Sequence, residues 1–142
     1  MSKREQVLND LFDRLSELIQ VSVKRNEVLP QKIPKNGLLI LRDGTVGEPT
    51  ILLSPPHYIY QHKAEIEVLV QLAKSADRDA LLDKILMAVG KLLKVDPTLS
   101  GTIDYMHAGS PEFMEELVEG GMTIKGAIVP IILEYSSDTI LF

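Results

Sequence analysis

The segment from Tyr58 to Leu72 alternates between two sets of side chains with a period of two, which is typical of a β-strand. One predicted face carries Tyr58, Tyr60, His62, Ala64, Ile66, Val68, Val70 and Leu72, and the other carries Ile59, Gln61, Lys63, Glu65, Glu67, Leu69 and Gln71. At about 3.3 Å per residue, such a strand reaches about 50 Å. A chain of 142 residues has a radius of gyration of only about 14 Å. The strand is therefore expected to bend or to extend beyond its own globule, and an extending strand usually serves a neighbouring molecule.

Lys63, Glu65 and Glu67 form a charged row on the second predicted face of this strand. If the first face packs against helices, the charged face meets either solvent or another protein. A strand of this length with alternating charges would suit the interface of a ring or the wall of a channel. The row would equally suit the solvated sheet face of a monomer, and charge alone does not separate the two. The length of the strand favours assembly.

The composition argues against several classes of function. The chain carries 15 basic and 20 acidic residues, a net charge of −5, and its basic residues are scattered, which argues against a general surface for duplex DNA. There is no cysteine, which excludes disulfides, thiolate metal sites and a cysteine nucleophile. The first residues are mixed in charge, and the longest apolar run, Ala127 to Leu133, is far shorter than the ~20 residues that cross a bilayer. We expect a soluble, cytoplasmic protein with no membrane partner.

Two helices are predicted from apolar side chains that recur every three or four residues. The first is expected to start after a Ser2 cap and to end near Arg25 or Asn26, because prolines follow soon after. The second is expected over residues 78–91, with Ser75 or Asp77 as its cap.

The segment between the first helix and the long strand is predicted to form a hairpin. Leu38 to Arg42 and Thr50 to Leu53 are short apolar runs, and Asp43-Gly44 is a strong turn signal between them. The following Ser54-Pro55-Pro56 is expected to act as a stiff spacer.

The C-terminal third is predicted to contribute two or three strands. Thr102 to His107 is expected to form one, and Met122 to Tyr135 the last, after a turn at Gly120-Gly121. Pro130 lies inside the last strand and has no N–H, so it marks an edge or a bulge. The acidic stretch Glu112–Glu119 fits either a strand or a helix. The order of elements predicts one α+β domain over the whole chain, with a mainly antiparallel (mixed) sheet and two helices packed on one face.

The histidines and carboxylates give only a weak indication of catalysis or metal binding. His57 and His62 are an odd number of residues apart, so they point to opposite faces of one strand, and the same holds for Asp104 and His107. The sequence has neither a Gly-x-Ser-x-Gly elbow nor a phosphate-binding glycine loop. We therefore predict no catalytic residue, no cofactor and no metal.

Residues 77–109 carry a recognisable series of motifs. They read Asp-Arg-Asp-Ala-Leu-Leu-Asp-Lys-Ile-Leu from Asp77, then Leu92-Leu93, then Asp-Pro-Thr-Leu-Ser-Gly-Thr-Ile-Asp from Asp96, and finally Met-His-Ala-Gly from Met106. The series resembles the tail-terminator proteins, a family of minor tail proteins of long-tailed bacteriophages and prophages, in which a helix is similarly followed by an Asp-Pro-Thr-Leu-Gly-Gly type of turn and a strand. Ser100 stands where the family has the first glycine of that pair. The N-terminal amphipathic helix and the apolar closing strand also match the family.

The resemblance implies a structural subunit that assembles with copies of itself as a hexameric ring. Such a ring caps the growing tail tube, ends its polymerisation and presents the surface that joins the head. The implied partners are a tail tube protein and a head–tail connector protein, with DNA only as passing cargo. The implied location is the host cytoplasm during assembly and then the virion tail. The family has no catalytic, cofactor or metal residue to transfer.

Two polar, turn-rich regions between apolar strands are predicted to contact the tube or a neighbouring subunit. These are the Asp43–Pro49 loop and the Asp104–Glu119 region. With the charged row of the long strand, the candidate interface residues are Asp43, Glu48, Lys63, Glu65, Glu67, Asp104, Glu112, Glu115 and Glu116.

Two alternatives to an assembly protein stay open. One is a small cytoplasmic α+β hydrolase that uses His57, His62 and Asp104. The other is an adaptor module that adds a strand to the sheet of a partner.

Overall fold

The computed structural model describes residues 1–30, 32–118 and 121–141 of the chain. The elements are, in order, α1 (Lys3–Leu15), β1 (Ser22–Arg25), β2 (Leu38–Thr45), β3 (Thr50–Leu52), β4 (His57–Gln71), α2 (Ser75–Val95), β5 (Tyr105–Ala108), β6 (Glu112–Glu116) and β7 (Ile124–Ser137). Within these residues, two helices and a seven-stranded sheet confirm the predicted α+β class.

The long strand is the centre of the sheet. β4 is an unbroken strand, and β7 pairs with it antiparallel from Tyr58–Ser137 to Gln71–Ile124. β2 and β3 lie along the other edge of β4, and β5 and β6 lie along the outer edge of β7. Among the strands of the described residues, only β1, which pairs with β2, runs parallel to its neighbour. The predicted long strand and the mainly antiparallel, mixed sheet are therefore confirmed.

Both helices pack on the same face of the sheet, as predicted. The shared core consists of side chains of α1, α2 and this face: Val7, Leu8, Leu11 and Leu15; Leu82, Ile85, Val89 and Leu93; Leu39 and Leu41; Tyr60, Ala64, Ile66, Val68 and Val70; and Ala127, Val129, Ile131, Leu133 and Tyr135. Fully burying one such aliphatic side chain contributes about 1.5–3 kcal/mol, so this layer supplies most of the driving force for folding.

The predicted end of the first helix near Arg25 is wrong. α1 ends at Leu15, and Ser22–Arg25 instead forms β1, which pairs with Leu38–Leu41. Val21 is buried in this arrangement and Val23 packs against the core. The apolar spacing continues beyond Leu15, but Val23 gains Leu39 as a strand partner and both valines pack in the core, so tertiary contacts override the helical pattern.

The predicted hairpin at Asp43-Gly44 is also wrong. These residues lie within β2, where the pairing with β4 shifts register between Arg42 and Thr45, as at a β-bulge. Gly44 has a φ of +69°, and a Cβ there would lie 1.9 Å from the carbonyl oxygen of Lys63, so only glycine fits. β3 pairs with β4, and the supposed spacer Ser54-Pro55-Pro56 belongs to the turn that joins them.

Several other boundaries differ from the predictions. The second helix is longer than residues 78–91, and its N-cap position is Lys74, with no side-chain hydrogen bond, so neither Ser75 nor Asp77 is the cap. The strand predicted over residues 102–107 covers 105–108, and the last strand covers 124–137. The acidic stretch forms a strand at Glu112–Glu116, whereas the end of that stretch at residue 119 and the predicted turn residue 120 lie outside the described residues.

The prediction that Pro130 marks an edge or a bulge is wrong, because β7 pairs in regular register with β4 on one side and pairs with β5 and β6 on the other. Pro130 lies in the middle of β7, and its carbonyl accepts a hydrogen bond of 2.8 Å from Gly109. In an antiparallel ladder, the N–H and C=O of one residue point to the same side, so the missing N–H faces the point where β5 ends and β6 has not begun. The proline ring packs so closely on Gly109 that a Cβ there would lie 2.7 Å from the proline Cγ.

Candidate interaction surface

The face of the sheet opposite the helices, here called the outer face, is covered by no helix of the described chain. It is lined by Ile40 and Arg42 of β2, by Gln61, Lys63, Glu65, Glu67 and Leu69 of β4, and by Ile128, Pro130, Ile132 and Glu134 of β7. A small apolar cluster of Ile33, Leu38, Ile40 and Leu69 closes only the end near the last residues of β4. The rest of the outer face is open to solvent or to a partner.

The charged row lies on this outer face, as predicted, but its three members differ. Lys63 is exposed and Glu65 is partly buried. Glu67 is only 8% exposed, and its carboxylate accepts a hydrogen bond of 3.1 Å from the Nε of Arg42 on the neighbouring strand. Glu67 is therefore already paired within the chain, and only Lys63 and Glu65 remain free to meet another molecule.

Apolar side chains lie beside this row. In the register of β4 and β7, Ile128 lies opposite Glu67, Pro130 opposite Glu65 and Ile132 opposite Lys63. All three β7 residues are partly buried. A stripe of apolar atoms flanked by charges is a common composition for a surface that another protein covers.

The most exposed apolar surface of the sheet is the hairpin formed by β3 and the start of β4, here called the arm (residues 50–59). All of β3 is exposed, with Ile51 at 51%, and Leu53 in the turn is 78% exposed. The sequence pattern did not predict this feature, because residues 50–53 were expected to form a hairpin with Leu38–Arg42. Their apolar character next to two prolines was the available signal. We call Ile51, Leu52 and Leu53 the arm tip.

A buried polar network closes the helix-side face at the base of the arm. The Nδ1 of His62 lies 2.8 Å from the Tyr135 hydroxyl, and the Nε2 lies 2.5 Å from the main-chain oxygen of Asp43. A carbonyl only accepts, so Nε2 carries the proton and Nδ1 accepts from Tyr135. Burial lowers the pKa of His62 and raises the pKa of Tyr135, so both groups are neutral at neutral pH.

Because of this network, the chain itself buries part of the long strand that was expected to need a neighbouring molecule. Tyr60 and His62 are fully buried by the chain itself, and the Tyr60 hydroxyl donates a hydrogen bond of 2.8 Å to the carbonyl of Ile140. On the helix side, therefore, only the first residues of β4 lack full cover. The open surface consists of the outer face and the arm.

Asp43, a predicted interface residue, belongs to an ion network inside the chain. The guanidinium of Arg25 donates to Asp43 at 3.0 and 3.1 Å and to Glu5 of α1 at 2.7 and 3.2 Å. Hydrogen bonding by Arg25 lowers the pKa of Glu5. Burial opposes ionisation of Asp43, but the hydrogen bonds and charge of Arg25 outweigh it and lower the pKa of Asp43. Asp43 therefore ties α1, β1 and β2 together, whereas Glu48 lies exposed in the loop before β3.

The remaining predicted residues lie along the edge formed by β5 and β6. Asp104 is exposed just before β5, and the three glutamates of β6 are exposed. Glu112 lies opposite Ile128 and so shares the outer face with the charged row, whereas Glu115 lies opposite Lys125 and points to the helix side. Glu116 lies opposite Ile124 and also shares the outer face. The structure therefore brings Lys63, Glu65, Glu67, Glu112 and Glu116 onto one face and places the other predicted residues elsewhere.

The residue set of the hydrolase alternative is not assembled. Both ring nitrogens of His62 are occupied, by Tyr135 and by the main chain of Asp43, and Asp104 is exposed. Within residues 1–30, 32–118 and 121–141, no group of three His, Cys, Asp or Glu side chains is placed to hold a metal ion.

The turn that carries the family resemblance is held by a carboxylate. Asp96 accepts hydrogen bonds from the Thr98 hydroxyl at 2.8 Å, the Ser100 N–H at 2.7 Å and Arg14 at 3.1 Å. These bonds, first among them that from Thr98, hold the pKa of Asp96 well below its usual range. Leu99, Ser100 and Gly101 all have positive φ, so Ser100 occupies a position that favours glycine. The motif is structural and carries no reactive group.

No protein-family model matches the chain, and no curated protein matches it. Among the described residues, no helix is both long enough and apolar enough to cross a membrane.

Proposed function

We propose that this protein is a structural subunit of phage tail assembly, a tail terminator that forms a hexameric ring on the tail tube. The ring ends polymerisation of the tube protein and presents the surface to which the head–tail connector binds. In this proposal the chain is not an enzyme and uses no cofactor. It acts in the host cytoplasm during assembly and afterwards in the virion tail.

The observation that carries the proposal is the arm together with the open outer face. A ring subunit needs two different contact surfaces, because each copy meets one neighbour on each side. Ile51 and Leu53 expose aliphatic surface at one end of β4, and Ile128 and Ile132 expose part of theirs on the outer face. Covering such surface contributes about 25 cal/mol per Å2, so association offers free energy that the monomer leaves unused.

Two further features support the proposal. The Asp96–Gly101 turn adopts the positive φ values that the glycines of the family motif would favour. The net charge of −5 and the exposed glutamates of β6 suit a ring whose lumen passes DNA without binding it.

The proposal is tested by adding the purified protein to polymerising tail tube protein. Native mass spectrometry is expected to give a hexamer, negative-stain microscopy a ring at the tube ends, and the tubes are expected to stop lengthening. A protein that neither forms rings nor arrests tube growth would contradict the proposal.

A matched pair of variants tests the role of the arm. Leu53→Asp is expected to abolish ring formation on the tube, because a carboxylate replaces an aliphatic contact. Ile19→Asp is the control, since Ile19 is 92% exposed and lies outside the arm and the outer face. Equal loss of rings in both variants would count against a specific role of the arm.

Charge reversal tests the β6 edge. Glu115→Lys with Glu116→Lys is expected to impair ring formation or docking to the tail, since both side chains are exposed on an edge strand. The matched control is Glu17→Lys, an exposed acidic residue beyond the end of α1. Unchanged assembly of the β6 variant would remove this edge from the proposal.

A strand-adding adaptor is the second candidate, and one observation favours it. β6 is exposed along its whole length, with Phe113 and Met114 both accessible, so its free edge could pair with an extended peptide. Phe113 lies opposite Ala127, so its N–H points to the free edge and not to β7. Phe113→Pro would remove this N–H, and a selective loss of partner binding without loss of ring assembly would favour the adaptor.

A further inference from the structure

The groove at the far end of β4, opposite the arm, is a built apolar site of about 650 Å3. Its apolar walls are Ile33 and Pro34 on one side and Leu72, Ala73 and Met122 on the other. The buried amide of Gln71 braces both sides, because its oxygen accepts from the Ile33 N–H at 3.0 Å and its nitrogen donates to the Met122 carbonyl at 2.8 Å. These two hydrogen bonds fix the relative position of the segments that carry Ile33 and Met122.

The arm tip has the properties of a matching insert. Ile51, Leu52 and Leu53 are exposed aliphatic side chains on a hairpin that β4 anchors in the sheet. Pro55 and Pro56 restrict the backbone of the turn beside them. A pre-ordered insert loses little conformational freedom on binding, which favours association.

The charges around the two surfaces are complementary. Lys32 and Lys35 line the groove, with Asp77 as the acidic member among its lining residues. The loop that leads into the arm carries the exposed Glu48. Glu48 lies at the base of the arm, because the next residues of the chain pair with Ile59 at that end. An acidic group at the base of the arm and two ammonium groups beside the groove favour one orientation of docking.

We propose that the arm tip of one copy docks into the Ile33–Met122 groove of the next copy of this chain. The two surfaces lie at opposite ends of β4, about 45 Å apart at ~3.3 Å per residue, so one chain cannot satisfy both by itself. Each copy donates an arm and receives one, which is a heterologous contact that repeats from subunit to subunit. The inference rests on the proposed ring and identifies the contact that joins its members.

Cross-linking of single-cysteine variants tests the contact, since the natural chain contains no cysteine. Leu53→Cys and Ala73→Cys change exposed positions, one in the tip and one in the groove. A short bis-maleimide is expected to give covalent dimers when the two variants are mixed, with a yield about tenfold above that of either alone. Ile19→Cys mixed with Ala73→Cys is the control and is expected to give no increase.

The possible results separate this contact from the proposed function. A dimer from Leu53→Cys alone, at the same yield as from the mixture, would show tip-to-tip contact and overturn the inference. No cross-link at any protein concentration would overturn it too. Rings on tail tubes without a 53–73 cross-link would overturn the contact while leaving the tail-terminator proposal in place. A cross-link without tube capping would support the contact and contradict the tail-terminator role.

Charge exchange gives an independent measurement. Glu48→Lys and Lys35→Glu are each expected to raise the dissociation constant for self-association about tenfold, measured by analytical ultracentrifugation. Mixing the two variants, or combining them in one chain, is expected to restore most of the affinity. Additive losses in the double variant would contradict the proposed orientation.

Discussion

The two ends of β4 differ in how completely the chain covers them. From Ala64 to Val70 the helix-side residues are fully buried, and on the outer face Leu69 is buried beneath Ile33. In the first half of the strand, Gln61 and Lys63 on the outer face are exposed, and the arm tip beside it is open. One continuous strand thus contains a half that stabilises the fold and a half whose surface is available to a partner. Coverage, and not strand length, decides which role each half has.

The largest expected effect comes from truncating the covered half. Ile66→Ala is expected to lower the free energy of unfolding by about 3 kcal/mol, because it leaves a cavity in a fully buried site. Leu53→Ala in the arm tip is expected to change it by less than about 0.5 kcal/mol. Urea unfolding of both variants measures the difference in the free energy of unfolding. Equal losses would contradict the claim that only the covered half of β4 stabilises the fold.

Removing the polar network at the base of the arm is expected to have the next largest effect. His62→Leu leaves the Asp43 carbonyl and the Tyr135 hydroxyl without their hydrogen-bond partner, at a cost of about 2 kcal/mol. His57→Leu is the matched control on the same strand, since His57 is only partly buried, and it is expected to have little effect. Similar losses in the two variants would show that the network does not support the base of the arm.

The same histidine is expected to make stability depend on pH. Because the pKa of His62 is lowered in the folded state, the unfolded chain binds more protons below about pH 6.5, and stability falls as the pH drops through that range. His62→Leu is expected to flatten the dependence between about pH 6.5 and 5. Denaturant midpoints across this interval measure it, and an unchanged slope in the variant would contradict the buried neutral histidine.

The ion network beneath α1 is expected to have an intermediate effect. Arg25→Met removes the guanidinium that donates to both carboxylates and is expected to cost about 1–3 kcal/mol near neutral pH. The pKa values of Glu5 and Asp43 are lowered in the folded state, so the cost is expected to shrink below about pH 4, where both carboxylates become protonated. Lys24→Met, an exposed neighbour on β1, is the control. A pH-independent difference would mean that Arg25 acts through packing alone.

The smallest expected effect is a gain in stability. Ser100→Gly is expected to stabilise the chain by about 0.5–1 kcal/mol, because Ser100 has a φ of +58°. Ser110→Gly, at an exposed position without positive φ, is expected to give no gain. Thermal unfolding measures both, and destabilisation by Ser100→Gly would show that its side-chain contacts matter more than its backbone conformation.

The sequence predicted the parts of the fold that depend on local periodicity. The alternation over residues 58–72 predicted β4 and its buried face, because a period of two indicates a strand and assigns each side chain to one of its two faces. The end of α1 and the partner of β3 were predicted wrongly, because both depend on which distant strand is free to pair. No pattern within residues 16–25 or 43–53 carries that information.

The candidate interaction surface was likewise predicted in part, where it depends on local alternation, and not where it depends on contacts between distant residues. The position of Lys63 and Glu65 on an open face followed from alternation alone. The pairing of Glu67 with Arg42 and of Asp43 with Arg25 did not, because each joins residues that are distant in the chain. The arm was not predicted, because β3 was expected to pair with β2 and pairs with β4 instead. The charge pattern therefore identified the outer face, and only the three-dimensional structure showed which of its charged side chains are already paired within the chain.

The proline in β7 has a consequence for the behaviour of the protein in concentrated solution. A strand edge with a full row of unpaired amides is a template on which further chains stack into fibrils. Pro130 faces the gap between β5 and β6, so this side of the sheet offers two short edges of four and five residues in place of one long edge. The interruption protects a protein that is rich in apolar strands from amyloid-like growth.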